Sequence, residues 1–254
     1  MTRLSSELHR LYLPCTAGEA LPLDDSTSLI DADGQVRALV LSLGKPADWA
    51  ALSAVWQAVQ AELALPAPAI AVSGLDAYQL WFSLDEPVSV AEARAFLDAL
   101  CQRHLSHIAP SRIDLLPPAT TDHAASEAWH AGRLPVRPVR PDQWSAFVAP
   151  DLAPIFADTP WLDIPPNLEG QADLLSRLQR IKPDQWQSAL AQLRPAPSVA
   201  TISTSLSTWS RPQDAASCQD PKRFLLDVMN DDTVALALRM EAAKALLPYL
   251  PSPP

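Results

Sequence analysis

The sequence predicts an α+β domain in which helices pack on one face of an antiparallel sheet. The central evidence is the stretch 69–84, where two apolar runs are separated by the turn-forming sequence Ser-Gly-Leu-Asp at 73–76. Two such runs joined by a turn are typical of adjacent antiparallel strands. Directly after them, Ser89 and Glu92 form an S-x-x-E capping box, which predicts that a helix starts at Ser89.

Elements on either side complete the domain. The branched, apolar run from 35 to 43 predicts a buried strand. Pro46 predicts the first turn of a helix that ends before Pro66, and 111–116 predicts a short final strand. The order strand, helix, strand, strand, helix, strand is the βαββαβ order of ferredoxin-like and RRM-like domains.

The rest of the chain divides by composition. We expect an N-terminal tail (1–28), the α/β domain (29–118), a linker rich in proline and arginine (119–143), a helical extension (144–194), a flexible linker (195–219) and a C-terminal helical hairpin (220–250). Within the extension, the spacing of apolar residues predicts three helices, at 147–156, 171–180 and 183–193.

Composition excludes several function classes. The 254 residues carry a formal net charge of −10, which disfavours non-specific binding to nucleic acid or to anionic lipid. The six glycines are too widely spaced for a G-x-G-x-x-G or Walker A phosphate loop, and the three cysteines form no zinc or disulfide pattern. No apolar run is long enough for a signal peptide or a membrane span, so we expect a cytoplasmic protein without a membrane partner.

Three parts of this pattern resemble the archaeo-eukaryotic primase and primase-polymerase superfamily. They are the order of the elements, the Ser73-Gly74 turn with the strand that follows it, and the segment 112–120. The resemblance covers residues 29–121. It implies an RRM-like sheet with metal-binding aspartates on one strand and a nucleotide-contacting histidine on another.

At the positions that carry catalysis in that superfamily, this chain has other residues. The strand that matches the metal-binding motif contains Ser42 and no carboxylate, and Gln79 stands where the histidine would be. Two-metal nucleotidyl transfer needs carboxylates to hold the ions. The resemblance therefore implies a catalytically inactive relative, and we expect no cofactor.

The C-terminal segment carries a second resemblance. From Asp220-Pro221 to Leu247-Pro248 it is similar to a short helical segment of phage-derived, small terminase-like proteins, which implies a bacterial or phage-derived, replication-associated history. Its predicted helices are too short to form a core alone, so we expect them to dock on a partner. The candidate partner-binding residues are Phe224, Leu225, Met229, Leu236 and Met240.

A nucleic-acid surface is an alternative. Gln79 and Trp81 share one face of their strand, where an aromatic ring can stack on a base. Arg133, Arg137 and Arg140 form the basic cluster of the chain. The competing interpretations are a solvated linker for the arginines and a tryptophan that the 144–193 helices cover.

A metal site is a second alternative. Cys101, His104 and His107 follow one another at intervals of three residues along the predicted helix, a spacing that presents two or three ligands on one side. The competing interpretation is a polar helix end, where histidines interact favourably with the helix dipole.

The sequence thus leads to three hypotheses. The first is a non-catalytic, primase-like module that acts through a protein partner. The second is a single-stranded nucleic-acid-binding accessory protein. The third is a metal-dependent enzyme that the motifs do not reveal.

Overall fold

The computed structural model describes residues 2–14, 26–119 and 129–194, all within one compact unit, Met1–Val199. It confirms the α+β class. The described residues form one six-stranded antiparallel sheet and five α-helices. The predicted C-terminal hairpin and its partner-binding residues Phe224, Leu225, Met229, Leu236 and Met240 lie outside these residues.

The strands of the sheet lie in the order β4-β1-β3-β2-β6-β5. Their bounds are β1 (Gln35–Gly44), β2 (Ala69–Val72), β3 (Ala77–Ser89), β4 (Ile113–Leu116), β5 (Arg137–Arg140) and β6 (Gln143–Val148). The helices are α1 (Arg3–Tyr12), α2 (Trp49–Ala61), α3 (Val90–His104), α4 (Leu168–Ser176) and α5 (Pro183–Leu193). Among the described helices, none combines the length and the apolar character needed to cross a bilayer.

From β1 to β4 the α-helices and strands follow one another as strand, helix, strand, strand, helix, strand. Strand β1 is second from one edge of the sheet, and it pairs with β3 on one side and β4 on the other. Helix α3 is capped as expected, since the Ser89 hydroxyl accepts a hydrogen bond from the Glu92 amide at 3.2 Å. The Glu92 carboxylate, however, accepts from the Trp186 indole of α5 at 3.3 Å. The start of α2 also differs, because Asp48 is the N-cap and the helix begins at Trp49, whereas the sequence predicts Pro46 in its first turn.

One face of the sheet packs against α2, α3 and α5. Phe82 of β3 contacts Phe96 of α3 with ring centroids 5.7 Å apart, and Phe96 in turn contacts Trp186 of α5 at 4.6 Å. Nearer the start of β3, Tyr78 lies 5.4 Å from Trp49 of α2. This is the predicted apolar face of β3.

The opposite face is also covered in part by a helix, which corrects the expectation of helices on one face only. The segment that was predicted as an N-terminal tail contains α1, and Leu4, Leu8 and Leu11 of that helix are buried. The Ser83 hydroxyl of β3 donates a hydrogen bond to the Leu11 carbonyl at 2.7 Å. Helix α1 is joined to the end of α4 by Arg10, which donates to the carbonyls of Leu175 and Leu178.

Two strands stand where the sequence predicts a linker and a helix. Strand β5 lies inside the predicted linker 119–143, and β6 occupies the start of the helix predicted at 147–156. The open edge of β2 accounts for the difference, because β6 pairs with it from Val72↔Ala146 to Ile70↔Val148. The remainder of that predicted helix is a short 3₁₀ turn, Ala153–Phe156.

Strand β5 pairs with β6 only at residues 143–145. At Phe147, further along β6, the side-chain amide of Gln171 takes the place of a neighbouring strand. The Gln171 side chain of α4 accepts from the Phe147 amide at 2.8 Å and donates to the Phe147 carbonyl at 2.9 Å. Both backbone groups are buried and would otherwise lack a partner on that side of β6. Gln171 therefore joins α4 to the sheet.

Candidate functional site

A cleft lies on the part of the second face that α1 and α4 leave open. Its floor is a row of side chains across three strands, since Ser42 of β1 is paired with Gln79 of β3 and with Asp114 of β4. Residues paired in register project on the same face of a sheet. All three line a cavity of about 570 Å³, a size typical of small-ligand sites.

One wall of the cleft is formed by β5, β6 and the β2–β3 turn. Gly74 in this turn has φ +82°, and a Cβ there would lie 2.6 Å from the Val139 side chain and 2.9 Å from the Ser145 amide. The turn thus requires glycine both for its backbone conformation and for its contact with β5 and β6. The Ser145 hydroxyl fixes β5, because it donates to the Arg137 carbonyl and accepts from the Arg137 amide.

The rim of the cleft is cationic. Four basic residues line the cleft, against two carboxylates, Asp76 and Asp114 of the floor. The basic residues are Lys45, Arg112, Arg133 and Arg137. The local charge is therefore opposite in sign to the net charge of −10 of the whole chain.

The basic residues differ in how firmly they are held. Arg112 is fixed at the mouth of the cleft, since it donates to the carbonyls of Gly44 at 3.1 Å and Pro46 at 2.8 Å. Arg137 packs closely on Gly132, where a Cβ would lie 2.9 Å from a guanidinium nitrogen. Lys45 and Arg133 are exposed at the rim.

The floor offers hydrogen-bonding groups that are not used internally. The Gln79 Oε1 accepts from the Trp81 indole at 3.0 Å, which orients the amide and leaves its NH₂ group as a donor. Within the described part of the chain, the Ser42 hydroxyl has no hydrogen-bonding partner, although its residue is only 8% exposed. Ser73, by contrast, is a turn residue whose hydroxyl accepts from the amides of Leu75 and Ala77.

The structure thus brings together three of the five residues predicted to bind nucleic acid: Gln79, Arg133 and Arg137. Arg140 is exposed at the β5–β6 turn and does not line the cleft. Trp81 is 1% exposed, with its ring against Trp129 at 5.6 Å and Tyr12 at 5.3 Å. A base cannot stack on this tryptophan, and the cover comes from α1 and Trp129 in addition to the predicted extension.

The metal-site alternative is not supported by the positions of its residues. Among the residues that the structure describes, no three His, Cys, Asp or Glu side chains converge to hold an ion. Burial raises the pKa of the Cys101 thiol to about 12, with the Asp98 carboxylate adding to the shift. Burial also lowers the pKa of His104, while His107 is exposed beyond the end of α3.

The sequence pattern does not single out Lys45, Arg112 or Asp114 as cleft residues. Lys45 and Arg112 are isolated charges next to apolar strands, and Asp114 lies within the short strand β4. Only the β1–β4 pairing brings the three residues together. The available signal was their position, because residues at the ends of neighbouring strands meet at the same sheet edge.

Comparison with known proteins adds a distant structural similarity. No protein-family model matches the chain, and no curated protein matches it. Among solved structures, the chain is similar to the polymerase domain of ligase D from Mycobacterium tuberculosis in complex with DNA, with 17% identity and a TM-score of 0.27. The match covers 72% of this chain and 56% of that chain, so this chain spans little more than half its length.

Proposed function

We propose that this chain is a non-catalytic accessory module that binds single-stranded nucleic acid in the cleft. The observation that carries the proposal is the cationic rim around a floor of unused hydrogen-bonding groups, Ser42 and Gln79. Cationic grooves attract the phosphate backbone, and amide or hydroxyl groups beneath them can contact a base or a sugar.

The size of the cleft favours a single strand. A cavity of about 570 Å³ accepts one nucleotide, whereas a base-paired duplex presents its phosphates on a much broader surface. The long-range repulsion expected from a net charge of −10 is screened beyond about 8 Å at physiological salt. The basic residues at the rim then dominate the field that a phosphate meets on entry.

The proposal of a non-catalytic role rests on the residues of the floor. Ser42 occupies the centre of the row, and its only charged neighbour across the paired strands is Asp114. One carboxylate does not hold the pair of ions that nucleotidyl transfer requires. As part of the same proposal, β1–β4 and their helices form a ferredoxin-like or RRM-like unit. This unit is a catalytically inactive relative of the primase domain.

The test is fluorescence anisotropy of a labelled single-stranded oligonucleotide against the full chain over a salt series. The double variant Arg133→Gln/Arg137→Gln should bind more weakly, and the slope of log affinity against log salt should fall by about 0.7 for each phosphate that is no longer neutralised. Arg140→Gln is the matched control, because this arginine lies on the same strand pair outside the cleft. An equal decrease in affinity in both variants would contradict the assignment.

A second measurement addresses catalysis. The purified chain should not incorporate nucleotides on a primed template in magnesium or manganese. Template-dependent incorporation that follows the protein through purification would overturn the non-catalytic part of the proposal and leave the binding part intact.

A further inference from the structure

A second groove lies beside the cleft, on the other side of the β2–β3 turn. It is lined by Trp49 at the start of α2 and by Trp161, with Pro46 and Pro154 beside them. Its volume is about 610 Å³, large enough for several side chains of a peptide. The two sites share Leu75 and Asp76 of the turn.

The groove is held in shape by contacts beneath it. The Tyr78 hydroxyl donates to the Ala153 carbonyl at 2.6 Å, and the Tyr78 ring supports that of Trp49. The segment that carries Trp161 is fixed to the sheet because the Gly74 amide donates to the Pro160 carbonyl at 3.0 Å. A preformed groove of this kind binds without the entropic cost of ordering its walls.

The charge of the groove is opposite to that of the cleft. Asp48, Asp76 and Asp158 line it, and no lysine or arginine does. Asp48 caps α2 and lies 3.7 Å from Arg112. Asp76 and Asp158 are exposed and have no ion-pair partner within the described part of the chain. These two carboxylates would repel a phosphate and attract a basic side chain.

The segment that forms one wall of the groove carries exposed apolar side chains. Of the five exposed large apolar side chains among the described residues, four lie between 152 and 168: Leu152, Ile155, Ile164 and Leu168. The groove is lined by Pro154 and Trp161 of the same segment, and exposed apolar side chains concentrated in one region are typical of protein-interaction surfaces.

We infer that this groove docks a proline-rich segment of a partner protein that carries an arginine or lysine. Proline-rich segments adopt the polyproline II conformation and dock on grooves lined by aromatic rings. Trp49 and Trp161 supply such rings, and a basic side chain next to the prolines meets Asp76 and Asp158. The β2–β3 turn thereby has the anion-binding cleft on one side and, on the other, a groove that binds a basic peptide.

The probe is a labelled oligoproline peptide that begins with two arginines, compared with the same peptide beginning with two glutamates. The arginine peptide should bind the full chain, and the glutamate peptide should not. Asp76→Asn and Asp158→Asn should each weaken binding about threefold to fivefold, and Trp161→Ala about tenfold or more. Asp151→Asn is the control, because Asp151 is exposed on the same segment outside the groove.

Several results would overturn the inference. These are no binding of the arginine peptide, equal binding of both peptides, or no effect of the two aspartate variants. A loss of oligonucleotide binding in Trp161→Ala without a loss of peptide binding would make the groove part of a nucleic-acid surface. Tighter peptide binding in Arg211→Glu would show that the chain's own Arg211-Pro212 occupies the groove, and not a partner. The cleft variant Arg133→Gln/Arg137→Gln should leave peptide binding unchanged, so this inference and the proposed function fail separately.

Discussion

Replacement of Gln171 by leucine should destabilise the fold strongly, although the new side chain is apolar and of similar size. Gln171 is 7% exposed and pairs with both backbone groups of Phe147. Leucine leaves a buried N–H and a buried C=O without partners, at a cost of about 1–3 kcal/mol each. Burial of the leucine side chain recovers about 1.5–3 kcal/mol. With two unpaired groups near the middle of their range, we expect a net loss of about 2 kcal/mol in the free energy of unfolding.

Urea denaturation followed by circular dichroism measures this loss. With a slope typical of a domain of this size, the midpoint should fall by about 1 M at unchanged slope. Gln171→Asn keeps the amide but is one methylene shorter, so it should lose a similar amount. Gln102→Leu is the control, because Gln102 is exposed on α3. A Gln171→Leu midpoint within error of that control would refute the role assigned to Gln171.

Two further predictions concern buried polar groups. Arg37→Met should destabilise the fold by about 2–4 kcal/mol, because Arg37 is 2% exposed and the carbonyls of Leu13, Leu84 and Asp85 would lose the donor that it supplies. Urea titration beside the exposed-site variant Arg140→Met would show this loss, and equal midpoints would contradict it. The reactivity of Cys101 can be measured alone in a Cys15→Ser/Cys218→Ser background. In the folded chain at pH 8, Cys101 should react with iodoacetamide about a hundredfold more slowly than in the chain unfolded in urea. The reason is that the pKa of Cys101 is raised to about 12 and the thiolate is the reactive form. Because that pKa lies above its ordinary value of 9.0, the contribution of Cys101 to stability should be complete below pH 9 and decrease as the pH rises toward 12. Rapid alkylation of the folded chain, or stability that is constant over this interval, would contradict the burial of the thiol.

The elements that the sequence predicts correctly are those with strong local signals. Strand β1 is a continuous apolar run, and α3 begins at its capping serine. The predicted bounds 183–193 coincide with α5 because Pro183 marks its first turn. In these segments the local pattern and the tertiary packing favour the same conformation.

Tertiary pairing decides the elements that the sequence misassigns. Strand β5 reads as a linker because it contains Pro138, yet it is an edge strand and pairs with β6 alone, where proline is tolerated. Strand β6 forms on the open edge of β2, a partner more than 70 residues earlier in the chain. Helix α1 is short, and its burial depends on contacts with β3 and α4 that no local pattern reveals.

The candidate site could be predicted only where a local sequence pattern marks its residues. Gln79, Arg133 and Arg137 were identified by strand alternation and by local basic clustering. Lys45 and Arg112 were missed, because each is a single charge and only the sheet edge brings it into the cleft. The prediction that Trp81 stacks on a base is wrong, because Trp81 is buried. Strand alternation predicts on which face of the sheet a side chain lies, but not which other elements cover that face.

The measurement that tests the central claim most directly is oligonucleotide binding by Gln79→Glu. Glutamate retains the oxygen that accepts from the Trp81 indole, so the unfolding midpoint should remain close to that of the wild type. The variant adds a second carboxylate to a floor that already carries Asp114, and the added charge repels a phosphate. We predict a loss of about tenfold or more in affinity at low salt. Wild-type affinity in a folded Gln79→Glu variant would contradict binding in this cleft.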